Sequence, residues 1–522
     1  MLRGMPERVM NMNKKIRWLS LILACLFLVL PLASCDGDGG DDVDAGGIGE
    51  DGSVNWDEVD FKGSTMKHAI SVDLKSGGTF PTVERYLRGM EGASTDEVIK
   101  KVIQRNAQVE NALNMKVEYE EMDARDIFDD IEARVLGSDS EAPDLYTNDM
   151  KALRFAVVAG LLTNVANPTD KDGNPLDSYF DFTDDGWKYD YMNEMTLNKQ
   201  KVYLLAGTYH LDMVRMAQVL FVNKTMFNQN AKSLGAGSIE GFYEYVLDGI
   251  WDYEMLTDMC KKIWQDNGSS KNRVDKDDGR IGLCISHTVY YHFLPATGIS
   301  TYYMGEDGLP KVIEDYNELH LMGTEARTIW SQSGAGEGIY FERDFDTANA
   351  FMSGQYLFAP VMLGELESEE MRDIAFEKGL VPMPKYDASR QDEYYTMVDS
   401  SAEFTCILLN APSFAKASAY MQYVNELSEP VLTEYYEFSL KFKYNEDPAI
   451  RSMIDLVYDR ISSPFGMYFE EVIFQYLDVD NSRNLNLHYA ISTNGVSAFY
   501  DEWNGPWRRA LDKALEDFAK VN

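Results

Sequence analysis

Apolar residues recur along this chain with two periods, one of two residues and one near three and a half. Residues 68–74 alternate, Ile70 and Val72 against Ala69 and Ser71, which reads as a first strand. Ser94-Thr95-Asp96-Glu97 then has the form of a capping box. Val98, Ile99, Val102, Ile103, Val109, Ala112 and Leu113 follow it at helical spacing. Met115, Val117 and Tyr119 alternate with charged residues as a second strand. Asp123 is placed to cap a helix carrying Ile127, Ile131 and Val135 and stopping at Gly137. A short strand at 144–147 leads through 154–158 to Gly160-Leu161-Leu162. Strands alternating with helices of this length predict βαβ units and a parallel sheet.

The pattern continues after a polar stretch, 168–198, with its Asp172-Gly173-Asn174-Pro175 turn. Strands are expected at 201–205 and at 214–223, the second apolar enough to be buried on both faces. Asp252 caps a helix with Leu256, Cys260, Ile263 and Trp264 on one face. Further strands are expected at 281–286, 356–362, 380–383 and 405–409, with a helix at 344–352. Ser413 caps a helix carrying Ala417, Tyr420, Val424 and Leu427, and the rest reads mostly helical, with Ala510, Leu511, Leu515 and Phe518 inward on the last helix.

The ends of the pattern change the picture. Lys14, Lys15 and Arg17 precede an apolar run of 14 residues from Leu19 to Leu32. Spanning a bilayer takes about 20. Charged, apolar and small-residue parts in that order make residues 1–34 a secretory signal peptide. Its ending, Leu32-Ala33-Ser34-Cys35, resembles the lipobox of bacterial lipoproteins. That resemblance implies cleavage before Cys35 and acylation of its thiol, with two acyl chains enough for stable anchoring. The 18 residues from Asp36 to Ser53 are rich in Gly and Asp, and 35–62 read as a flexible tether. Such a coil has a reach of roughly 20–25 Å.

Charge and cysteines narrow the class. The formal charge is −38, and removing residues 1–34, with five basic and one acidic side chains, makes it −42. A field of that sign repels phosphate backbones and anionic lipid, so no nucleic acid partner is expected and the membrane is met through the anchor alone. Cys260, Cys284 and Cys406 remain in the mature chain, in apolar surroundings that suit buried free thiols. A Gly-x-Ser-x-Gly elbow, a P-loop and a His-Glu-x-x-His pair are all missing. Gly334-Ala335-Gly336-Glu337-Gly338 lacks the dinucleotide spacing, and Asp275-Lys276-Asp277-Asp278-Gly279 is out of phase for a calcium loop. No catalytic residue, cofactor or metal site is expected.

Five short motifs in order carry a family resemblance. They are Pro143-Asp144-Leu145-Tyr146 with Ala159-Gly160-Leu161-Leu162, the 221–227 strand end holding Asn223-Lys224, Gly249-Ile250-Trp251-Asp252, 350–354, and Val381-Pro382-Met383-Pro384. From about Cys35 to Asn522 the chain resembles the extracellular solute-binding proteins of ABC importers, in particular the carbohydrate-binding group related to maltose-binding protein. The resemblance implies an α/β fold of two lobes, each a sheet flanked by helices, joined by a hinge of several crossings. The crossings are expected near 207–212 and 377–380. One lobe would take 63–208 with 379–428, the other 210–377 with 429–522 and its C-terminal helices. Ligand in the cleft would bias an open–closed equilibrium toward closure. A monomer on the extracytoplasmic face of the cell membrane, delivering a mono- or oligosaccharide to permease subunits, is the function implied. A surface glycoside hydrolase and a ligand-presenting sensor subunit are the alternatives.

A sugar cleft needs aromatic faces together with fixed donors and acceptors. His287-Thr288-Val289-Tyr290-Tyr291-His292 follows a strand and corresponds by order to an aromatic segment of the family, so Tyr290, Tyr291 and His292 are candidates, with plain packing the alternative. His287 and His292 have no zincin spacing. Tyr209 and Asp212 lie at the expected hinge, where they either touch ligand or pack it. Asn148 and Asp149 end a strand, where open α/β sheets bind ligand; Asp149 is equally placed to cap a helix. Glu365 stands near a position that often holds a cleft aromatic in the family, and Asp399 precedes a strand. Trp187, Trp330 and Trp503 are candidate platforms, with core packing the alternative.

Overall fold

A computed structural model of the chain describes residues 46–49, 53–72, 83–89, 96–170, 173–268, 274–286, 293–314, 316–330, 338–342, 346–443, 447–477 and 495–521. The first sheet is built from β1 (Ser64–Val72), β2 (Met115–Asp123), β3 (Leu145–Asp149), β4 (Leu204–Leu205) and, from far along the chain, Glu403–Ile407. Its order is β2, β1, β3, Glu403–Ile407, β4. The first three strands are parallel, joined by the helices Glu97–Ala112 and Ile127–Gly137. The returning strand runs antiparallel to β3 and to β4, so the sheet is mixed rather than parallel throughout. Asp96 caps the first of these helices, accepting from the amides of Val98 and Ile99, and Ser94 lies outside the described residues. Asp123 ends β2 instead of capping the second, and its carboxylate holds the Arg125 guanidinium at 2.6 Å.

The second sheet comprises β5 (Gln218–Asn223), β6 (Ile281–Ile285), β9 (Ile339–Phe341), β10 (Tyr356–Met362) and β11 (Lys378–Pro382), in the order β11, β5, β10, β6, β9. A hairpin of β7 (Tyr302–Met304) and β8 (Pro310–Val312) stands apart, and Glu403–Ile407 completes the set as β12. The strand expected at 214–223 is shorter, because Asp212 and Arg215 pair at 3.1 Å and wind Asp212–Arg215 into a helical turn. Each sheet has its own core. Ile70, Leu145, Leu204 and Cys406 lie in one; Phe221, Leu283, Cys284, Phe358 and Leu380 lie in the other. Cys260, Cys284 and Cys406 are buried and free, and burial pushes all three thiols up.

The chain leaves the first sheet for the second across 206–217 and returns across 383–402. The second crossing therefore lies beyond the expected 377–380, which spans the start of β11. Lys378–Pro382 pairs antiparallel with β5 at the sheet edge, where a proline is tolerated. The two crossings touch through an Ala217–Val398 bridge, with the Gln218 amide on Met397 and the Asp399 amide on Met216, each at 2.9 Å. The C-terminal part also divides differently from the expectation. Pro448–Asp459 joins the second core through Ile450, Met453, Ile454 and Val457. Phe465–Phe474 and most of Val496–Val521 join the first, burying Tyr468, Phe469, Trp503, Trp507 and Phe518. Arg154 fixes this by bonding Glu471 at 2.6 Å. Among the described residues no helix is long and apolar enough to cross a membrane.

Candidate functional site

The polar side chains that converge do so where the carboxyl ends of β1 and β3 meet the two crossings. β12 is antiparallel to β3, with Glu403 opposite Asp149 and Phe404 opposite Asn148. That register puts the start of β12 beside the end of β3. Ser71, one residue from the end of β1, donates to Glu403 Oε1 at 2.6 Å. Asp212, on the first crossing, accepts the Glu403 backbone amide at 2.9 Å. Asp399, on the second, takes the Ser401 amide and hydroxyl at 2.8 and 2.6 Å and meets Gln218 Nε2 at 3.5 Å.

The expected residues separate into three groups. Asn148, Asp149, Asp212 and Asp399 come together here. Asn148 is fully buried; its amide donates to the Ala124 carbonyl at 3.1 Å, while its Oδ1 has no hydrogen-bond partner among the described residues. Asp149 caps Met150–Val158 by accepting from the Ala152 amide at 3.1 Å. Burial raises its pKa, Lys151 and Arg154 oppose the rise, and Asp399 adds to it. Asp149 therefore both caps and lies next to the acceptor-rich patch.

Tyr209 and Glu365 stand apart. Tyr209 is 1% exposed, with its hydroxyl donating to Leu205 O at 2.7 Å and accepting from the Thr405 amide at 3.1 Å. Its backbone is held by Asn425 Oδ1 and by Arg105 Nη1 at 3.2 and 2.9 Å. This is hinge packing, with the ring turned into the core. Glu365 lies on the Leu363–Glu367 turn after β10. Burial pushes its pKa up to about 7, Asp346 and Glu367 add to the effect, and Arg215 opposes it.

Cys35, Tyr290, Tyr291 and His292 lie outside the described residues, as do His287 and the Trp330 side chain. Trp187, Trp251 and Trp503 are core residues at 4%, 0% and 5% exposure, and none is an open stacking platform.

Sequence reasoning missed four of the best-placed residues. His210 is 5% exposed, with Nδ1 3.8 Å from Asp212 and Nε2 3.9 Å from Glu403. Arg215 bonds Glu367 through Nε and Nη2 at 2.7 and 3.0 Å, and its guanidinium lies over the Tyr86 ring at 4.6 Å. Glu367 also accepts from Tyr86 and Tyr435, and despite burial these bonds and Arg215 hold its pKa below the usual value. The available signal was Arg215, a charge inside a run otherwise apolar enough for a buried strand. Such charges are buried only when paired.

No curated protein matches this sequence. Among solved structures it is similar to the galacto-N-biose/lacto-N-biose I-binding protein of an ABC transporter from Bifidobacterium longum, at 11% identity and a TM-score of 0.49 over 87% of this chain and 97% of that one. The GacH receptor of Streptomyces glaucescens follows at 12% identity and a TM-score of 0.47, over 88% and 99%. An extracellular solute-binding protein from Staphylococcus aureus in complex with maltose gives 13% and 0.47, over 87% and 97%. Likeness at this distance says nothing of what this chain binds. The family described as bacterial extracellular solute-binding protein matches residues 105–439, well over half of the chain, and this protein belongs to it.

Proposed function

We propose that the protein captures a carbohydrate between its two lobes and passes it to the permease of an ABC importer, as a monomer held at the membrane by lipid on Cys35. The observation that carries the ligand class is the gathering of Ser71, Asn148, Asp149, Asp212, Asp399 and Glu403 at the carboxyl ends of β1 and β3, against both crossings. Open α/β sheets bind ligands at that end. The patch is rich in carboxylate and amide oxygens and so suits a ligand with many hydroxyl donors. Crossings that touch each other give the lobes a shared axis for closure. The tether keeps the binder within reach of its permease at a raised effective concentration.

Melting the purified mature protein against a panel of mono- and oligosaccharides tests the ligand. A true ligand at 100 times its Kd stabilises by about 2.7 kcal/mol. Silence across the panel, or release of product from a glycan on incubation, would overturn the reading. The anchor is tested separately: Cys35→Ala should shed the protein into the medium and lower uptake at limiting sugar.

A further inference from the structure

His210, Asp212 and Glu403 each offer one ligand atom, and those atoms lie within 4.8 Å of one another. His210 and Asp212 are buried and sit on the first crossing, while Glu403 closes the second. The imidazole nitrogens stand 3.8 and 3.9 Å from the two carboxylates, beyond hydrogen-bond length. Both carboxylates are nevertheless aimed. Asp212 Oδ2 accepts the Glu403 amide at 2.9 Å, Asp212 Oδ1 accepts Arg215 Nη1 at 3.1 Å, and Glu403 Oε1 accepts Ser71 Oγ at 2.6 Å. Outer hydrogen bonds of this kind orient carboxylates in metal sites. Asp212 and Glu367 both meet the guanidinium of Arg215, which holds the first crossing in place beneath the cluster.

We propose that His210, Asp212 and Glu403 form a site for a divalent transition-metal ion of the zinc or manganese class, which pins the two crossings together. One imidazole and two carboxylates suit these borderline ions, whereas calcium takes oxygen ligands only. Three protein ligands leave a coordination position open. Donors around tetrahedral zinc stand about 3.4 Å apart, so the side chains draw together by about 1 Å on binding. The ion would join residues nearly two hundred positions apart in sequence and stiffen the axis about which the lobes turn. The proposal does not depend on the identity of the sugar.

The test is calorimetric titration of the full mature chain, stripped with EDTA, with zinc, manganese and calcium chlorides in turn. One zinc or manganese ion per chain is expected, with binding at least tenfold weaker in Ser71→Ala, which removes the bond that orients Glu403. His210→Ala and Glu403→Ala should abolish it, and circular-dichroism melting of each ion-free variant shows whether it still folds. If His210→Ala does not fold, His210→Gln and Ser71→Ala carry the test. The proposal is overturned if wild type takes neither zinc nor manganese, if calcium alone binds, or if all the folded variants bind as wild type does.

Discussion

Two polar groups on the first crossing, one at His210 and one at Arg215 five residues on, are built in opposite ways. Around Arg215 and Glu367 the charges meet at 2.7 and 3.0 Å, two tyrosine hydroxyls complete the carboxylate, and an aromatic face covers the guanidinium. Around His210 the charged atoms stand 3.8 and 3.9 Å apart, although the same Asp212 links the two groups. The first arrangement is a closed knot. It draws together the segment Val83–Arg88, the turn after β10 and the segment Glu434–Lys443, and it leaves little capacity for anything arriving later. The second lies near Asn148, whose Oδ1 has no hydrogen-bond partner among the described residues, at the place where both crossings meet. The contrast separates a part that sets shape from the part proposed to bind.

Breaking the knot should have the largest effect. Arg215→Met strands Glu367 away from water and should cost about 3–5 kcal/mol in urea denaturation, much of it recovered by adding Glu367→Leu. Tyr435→Phe, which removes only one hydroxyl from Glu367, should cost about 1–2 kcal/mol. Equal losses from Arg215→Met and Tyr435→Phe would mean that the knot does not organise its surroundings.

A pH series sharpens the same boundary. Glu365, beside the knot, and Glu470, bonded to Thr301 Oγ1, both have pKa values pushed up to about 7 by burial. A carboxyl raised in the folded state gives its full stability below the ordinary 4.5, and that contribution is lost as pH rises through about 7. Stability should therefore decline over that window by about 1 kcal/mol for each group, since both side chains keep some solvent contact. Glu365→Gln and Glu470→Gln should each flatten their share of the slope. A slope unchanged in both variants would contradict the assignment.

The smallest change in stability is expected in the open group. Glu403→Gln keeps an acceptor for Ser71 and should stay within about 1 kcal/mol of wild type, while ligand affinity falls at least tenfold. A large loss of stability with binding intact would reverse the contrast.

Much of the fold was legible from period alone. The strands at 68–74, 281–286 and 356–362, and the helices capped by Asp252 and Ser413, match observed elements to within a few residues. What sequence could not show was which sheet a strand joins. Lys378–Pro382 and Glu403–Ile407 are both short and apolar, and only long-range pairing sends one to β5 and the other to β3. The same holds for the C-terminal helices, whose inward faces are equally apolar wherever they dock. That Asn148, Asp149, Asp212 and Asp399 come together was legible because they end strands or flank crossings. His210, Arg215 and Glu403 were not, because their partners lie far off in sequence or inside an apolar run. Tyr209 falls on the packing side of its two readings, a polar ring whose hydroxyl is bonded inside the core.

The most direct measurement is isothermal titration of the mature protein and of Glu403→Gln with the sugars that raise its melting temperature. At least one sugar should bind wild type at one per chain, and at least tenfold more weakly in the variant. Equal affinity in the two proteins, or no sugar bound by wild type, would contradict a carbohydrate site at the meeting point of the crossings.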